Sequence, residues 1–249
     1  MEYVRPLVIC FGGLDPSGGA GLLADIKTIE QHRCLGFGVT TAVTCQTEDR
    51  FESSTWLTAA HIANQALPLL EQYRISAAKI GLVENFDTLK QILDLLTATG
   101  IKNIVWDPVL SASSGFNFDN YSDLSLLQKQ LARITLVTPN LREAMCLTGD
   151  DCPLNAAKNL ASHTQVLLKG GHHPTAQGTD HLFSGSNQIT LPPTEKSSYA
   201  KHGSGCILSS SIASFLAGKA SIEQACIGAK AYIERILSST PHLLAYHYV

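Results

Sequence analysis

Lys201-His202-Gly203-Ser204-Gly205-Cys206 puts two glycines, a serine and a thiol where a loop turns into a helix. Downstream, Ile207, Leu208, Ile212, Phe215 and Leu216 recur at helical spacing. Free backbone N–H groups and the positive end of the helix dipole gather at such a start and bind an anion. A thiol there is pushed toward thiolate and becomes a better base or nucleophile. An anion hole beside a reactive side chain suits phosphoryl transfer, whose catalysis is mostly positioning and charge stabilisation. The alternative is packing alone, with glycines that let helix approach sheet and one more buried thiol.

Other residues have the same double character. The loop Gly12–Gly21 is so rich in glycine that its backbone must approach something closely. Asn140-x-x-Glu143 opens a helix, either as a cap or as a carboxylate that orders magnesium and its waters beneath a nucleotide. Lys169-Gly170-Gly171 is a cation beside pliable backbone, suited to phosphate or simply solvated at a turn.

The elements that must position these residues alternate. Leu7–Phe11, Phe37–Cys45, Ala78–Leu82, Asn103–Pro108, Thr135–Asn140 and Gln165–Lys169 read as strands. Helical patterns cover Leu22–Glu30, Thr58–Tyr73, Phe86–Ala98, Leu124–Leu131, Leu141–Met145, Asn155–His163, the run after Cys206 and Ile222–Leu237. Around Ser184-Gly185-Ser186-Asn187 two short runs form a hairpin signal. This order predicts one α/β domain over residues 1–249, a mostly parallel sheet with helices on both faces. Ligands of such sheets bind beyond the carboxyl ends of the strands. That rule gathers the Gly12–Gly21 loop, Gln46, Asp107, Asn140 with Glu143, Lys169 and Cys206 at one edge.

Composition removes other classes. A net charge of −3 without a block of lysine or arginine argues against nucleic acid or an anionic membrane as partner. No apolar run reaches a membrane span, and the N-terminus lacks the pattern of a signal peptide, so a cytoplasmic location is expected. Seven scattered cysteines, never spaced Cys-x-x-Cys, read as reduced thiols. Gly19-Ala20-Gly21-Leu22-Leu23-Ala24 fits a dinucleotide fingerprint, but the next strand ends near Gln46 and not on an acid for a ribose. There is no P-loop. His202 with Cys206, and His172-His173 with His181, lack a second pair at zinc spacing. Acyl transfer by Cys206 and His202 lacks a third, orienting group.

Gly13-x-Asp15-Pro16-Ser17-Gly18-Gly19-Ala20-Gly21 with Ala24-Asp25-Ile26-Lys27-Thr28 resembles the opening signature of hydroxymethylpyrimidine/phosphomethylpyrimidine kinases of thiamine synthesis. Lys79-Ile80-Gly81, Asp107-Pro108-Val109, Thr138-Pro139-Asn140-Leu141-x-Glu143-Ala144, Lys169-Gly170-Gly171-His172 and His202-Gly203-Ser204-Gly205-Cys206 follow in that family's order. The resemblance implies a ribokinase-like three-layer fold with a flap over Pro192–Ala200. It also implies transfer of the ATP γ-phosphoryl group to a hydroxymethylpyrimidine and then to its monophosphate. Cys206 would be the base, the amides of Gly203, Ser204, Gly205 and Cys206 the anion hole, and Lys169 a phosphate contact. Asp25 and Gln46 would hydrogen-bond the pyrimidine, with Gly13 and Leu82 lining its pocket. Asn140 and Glu143 would serve the nucleotide, and Asp107 and Glu143 the metal. ATP, Mg²⁺ and, as an open option, a monovalent cation are the implied cofactors, and a homodimer the implied assembly. Leu14, Thr47, Leu82, Ser204 and Ile207 depart from the family pattern. Thr47 and Leu82 leave a vitamin B6 kinase as an alternative, and a pyrimidine-binding regulator without turnover is the rival from a different class.

Overall fold

In the computed structural model, residues 4–110, 124–171, 177–185, 187–194 and 199–248 are described. The chain runs β1 (Leu7–Leu14), α1 (Gly21–Gln31), β2 (Leu35–Gln46), β3 (Phe51–Trp56), α2 (Ala59–Gln72), β4 (Ala77–Ile80), α3 (Phe86–Ala98) and β5 (Ile104–Trp106). It continues with α4 (Leu124–Leu131), β6 (Leu136–Val137), α5 (Leu141–Thr148), α6 (Pro153–Ala161), β7 (Gln165–Leu168), β8 (Asp180–Ser184), β9 (Asn187–Leu191), α7 (Ser204–Ala217) and α8 (Ile222–Ser238). The strands form one nine-stranded sheet in the order β3-β2-β1-β4-β5-β6-β7-β8-β9. The pairs between β2 and β7 in that order are parallel, and the outer pairs β3–β2, β7–β8 and β8–β9 are antiparallel.

Side-chain alternation makes the three layers. Ile9, Phe11, Ala78, Ile80, Ile104, Trp106, Val137, Val166 and Leu168 face the core beneath α2 to α6. Their strand neighbours Val8, Cys10, Ala77, Val105, Leu136 and Leu167 face the other core, beneath α1, α7 and α8. A strand buried on both faces must read as a continuous apolar run, as Leu7–Phe11 does.

Two differences from the expected elements stand out. The sequence reading has no strand at Phe51–Trp56, where β3 pairs antiparallel with β2. Its residues are mostly polar and partly exposed, so an edge strand there carries no apolar run. The expected hairpin, β8–β9, also joins the main sheet through β7, a pairing the sequence reading does not assign. Residues 195–198 of the expected flap, with His172 and His173, lie outside the described residues.

Candidate active site

Helix α7 begins on a glycine, with no side-chain cap at its first amides. Its N-cap, Gly203, has φ 76°, and a Cβ there would lie 2.1 Å from the Gly19 carbonyl oxygen. Only glycine fits that backbone at that approach. The sulfur of Cys206, half-buried, lies near the Gly21 amide, which favours its thiolate form. Gly21 opens α1, so the starts of two helices converge on one sulfur. The expected drift of this thiol toward thiolate is not what the structure supports. Burial pushes it up to about 11, with Asp25 and Asp107 adding to the rise against Lys79 and the Gly21 amide. A helix start is a partial charge, and here desolvation outweighs it.

Beside Gly205 stands a cluster of charge. A Cβ on that glycine would sit 3.1 Å from Lys169 Nζ and 3.4 Å from Asp107 Oδ2. Lys169 donates to Asp107 Oδ1 at 2.6 Å and lies 3.7 Å from Glu143 Oε2. Thr138 Oγ1 donates to Asp107 at 3.1 Å. Burial would raise the Asp107 carboxyl, but Lys169, Lys79 and Thr138 hold it below the usual range. Glu143 is pushed up to about 7, chiefly by burial. It also closes a capping box with Asn140, accepting from the Asn140 amide at 2.7 Å while Asn140 Oδ1 accepts from the Glu143 amide at 2.9 Å. The capping reading of Asn140-x-x-Glu143 therefore holds, and the same carboxylate reaches Lys169.

On the other side, a Cβ at Gly13 would lie 3.0 Å from a Leu82 methyl. Gln46, at the end of β2, donates to Thr44 Oγ1 at 3.0 Å, and Thr44 in turn donates to the Leu14 carbonyl. Gly13, Leu82 and Gln46 thus sit together at the carboxyl ends of β1, β4 and β2.

Asp25 does not join them with a free carboxylate. It has no exposed surface, and its oxygens accept from Lys79 Nζ at 2.8 and 3.0 Å and from Ser210 Oγ at 2.5 Å. A direct hydrogen bond from Asp25 to a ring, as the family resemblance implies, has no exposed atom to use. Lys79 opens the motif Lys79-Ile80-Gly81. It is fully buried, and Asp25 keeps it protonated against the pull of burial. Its signal was a lysine inside a strand otherwise apolar, Ala77-Ala78-Lys79-Ile80, which needs an acid somewhere.

His202, weighed above as a zinc ligand, is buried and bonds Asp15 Oδ2 through Nε2 at 2.9 Å. Among the described residues no group of three histidine, cysteine or acidic side chains could hold a metal by itself.

Across the chain, residues 15–249 match the family model described as phosphomethylpyrimidine kinase. The chain belongs to that family. A hydroxymethylpyrimidine/phosphomethylpyrimidine kinase of Rhizobium meliloti is 32% identical over 247 residues, covering 95% of this chain and 92% of the relative. The solved phosphomethylpyrimidine kinase of Clostridium difficile superposes with a TM-score of 0.77 at 28% identity, covering 92% of this chain and 98% of that one. A Staphylococcus aureus pyridoxal kinase, solved with AMP-PCP and pyridoxal, gives 0.81 at 26% identity over 95% and 89% of the two chains. The three-layer fold of this phosphomethylpyrimidine kinase family member is therefore the ribokinase-like one expected, and its family uses ATP.

Proposed function

We propose that this chain transfers the γ-phosphoryl group of ATP to the hydroxymethyl group of 4-amino-5-hydroxymethyl-2-methylpyrimidine, and then to the resulting monophosphate. The observation that carries this is the Cys206 sulfur at the meeting of two helix starts, with Lys169 and Asp107 against Gly205, in a chain of this family.

In the first transfer the hydroxyl oxygen bonds phosphorus, the bond to the ADP oxygen breaks, and the hydroxyl proton passes to the Cys206 sulfur as thiolate. The amides of Gly203 to Cys206 receive the charge that spreads over the phosphoryl oxygens, and Lys169 balances it. The second transfer starts from a phosphate oxygen and needs no base. Gln46 is the ring contact, and Gly13 and Leu82 are the pocket walls. Asp25 serves through Lys79, which places a cation beneath the site.

Mg²⁺ is commonly held by one or two carboxylates together with substrate phosphates, not by a protein cage. Asp107 and Glu143, flanking Lys169 with hard oxygen donors, fit such a metal. When bound, it neutralises phosphate charge. A homodimer rests on the family resemblance, and a cytoplasmic location on the scattered cysteines read as reduced thiols; no helix among the described residues is long and apolar enough to cross a membrane.

A vitamin B6 kinase remains the second reading, favoured by the superposition on a pyridoxal kinase and by Leu82 in the pocket wall.

Cys206→Ala tests the central assignment. Its kcat with the pyrimidine should fall by about 10²–10⁴ while pyrimidine affinity, measured by calorimetry, stays near that of the unsubstituted protein. Undiminished turnover would remove Cys206 as the base.

A further inference from the structure

Two loops meet at the sulfur of Cys206, and they are joined at three successive places. The Gly21 amide lies beside the sulfur and favours its thiolate form. Gly203 lies against the Gly19 carbonyl and Ala20. The third joint is made by side chains, between His202 and Asp15.

Asp15 is 1% exposed, and its carboxylate accepts four hydrogen bonds. The Ser17 amide reaches Oδ1 at 2.9 Å. Ser17 Oγ, the Ala20 amide and His202 Nε2 reach Oδ2 at 2.8, 2.9 and 2.9 Å. A carboxylate only accepts, so Nε2 carries the hydrogen. Ala20 is the N-cap of α1, and His202 immediately precedes the N-cap of α7. One carboxylate therefore holds the approach to both helix starts.

The ring is also closely enclosed. A Cβ at Gly19 would lie 2.7 Å from His202 Cδ2, and the His202 amide donates to the Leu243 carbonyl at 3.0 Å. Its other nitrogen, Nδ1, is buried without a partner. An apolar side chain would fill this space without orphaning a polar atom. What the imidazole adds over such a side chain is the bond to Asp15.

We infer that Asp15 and His202 are positioning residues for phosphoryl transfer, setting the register between the α1 and α7 helix starts. This rests on the assignment of Cys206 and its neighbouring amides as the reacting site. Substrate touches neither residue. Their removal therefore lowers kcat and leaves both Michaelis constants nearly in place, because a misplacement of about 1 Å at a reacting centre can cost on the order of a hundredfold.

The experiment compares His202→Leu with His202→Gln, whose amide nitrogen can stand in for Nε2. His202→Leu should lose about ten- to a hundredfold in kcat, with KM for pyrimidine and for ATP within about twofold, and His202→Gln should regain most of the loss. Unchanged kcat in His202→Leu, or equal loss in both variants, overturns the inference. Should His202→Leu fail to fold, Asp15→Asn and Asp15→Asn/His202→Gln take its place. A double variant no slower than the slower single supports one shared joint; multiplied losses overturn it. Alkylation of Cys206 by iodoacetamide, followed on its own peptide by mass spectrometry, separates the joint from the kinase reading beneath it. A changed alkylation rate in His202→Leu, with no acceptor phosphorylated even by the unsubstituted protein, keeps the joint and removes the kinase. An unchanged rate together with unchanged kcat removes the joint alone.

Discussion

Replacing Lys79 by methionine removes the cation from a pair that the fold buries completely. The side chains of Lys79 and Asp25 are 1% and 0% exposed, and the pair closes at 2.8 Å. Among the described residues no other cation within hydrogen-bonding distance can take over, because the remaining bond to Asp25 comes from the neutral Ser210 hydroxyl. Breaking a buried pair on one side typically costs about 3–5 kcal/mol, since a charge is left uncompensated. In a chain of this size each kcal/mol moves the melting temperature by about 2–4 °C, so Lys79→Met should melt roughly 6–20 °C lower. The informative partner is Lys79→Met/Asp25→Leu, in which both charges go and the volume is kept. Paired apolar replacement is often neutral or better, so the double variant should recover most of the loss. Differential scanning calorimetry at pH 7 reads both. A single variant within about 1 °C of the unsubstituted protein, or a double variant as unstable as the single, would refute the reasoning.

The height of the Cys206 thiol gives a sign for the pH dependence. In the proposed reaction the active form is the thiolate, and burial pushes the thiol up to about 11. Its ionised fraction at pH 7.5 is about 10⁻³–10⁻⁴, so kcat should climb nearly tenfold per pH unit from 7 to 9. A plateau from pH 7 in a stopped-time assay would contradict this. Gln46→Ala should raise KM for the pyrimidine about tenfold or more and leave KM for ATP alone, as one lost hydrogen bond to substrate would. Equal effects on both constants would move Gln46 away from the ring. Gly203→Ala should lose at least a hundredfold in kcat, because its φ of 76° and the 2.1 Å approach to Gly19 force the anion-hole loop apart. Steady-state kinetics beside a melting curve reads that outcome.

Local patterns foretell local structure, and here they did so where burial was two-sided. Leu7–Phe11 and Val166–Leu168 are apolar without interruption because helices cover both faces, and that is visible in sequence. Phe51–Trp56 lies at an edge, exposes much of itself and leaves no such trace. The candidate site followed from one topological rule, since the polar residues at the carboxyl ends of parallel strands must gather. What stayed hidden were pairings across long separations. Lys79 meets Asp25 over 54 positions and His202 meets Asp15 over 187, and neither residue type announces its partner. The direction of the Cys206 shift was hidden for a related reason. A helix start is a local feature, whereas burial and the acids Asp25 and Asp107 are supplied by the whole fold.

The most direct measurement is ATP consumption with Mg²⁺ against three acceptors in parallel: hydroxymethylpyrimidine, its monophosphate and pyridoxal. Phosphorylation of both pyrimidines, with pyridoxal slower, is the expected result. Turnover of pyridoxal alone would contradict it and make Leu82 and Thr47 the first residues to exchange. Tight binding of the pyrimidine with no turnover of any acceptor would contradict it as well, and would mark the chain as a regulator built on a kinase fold.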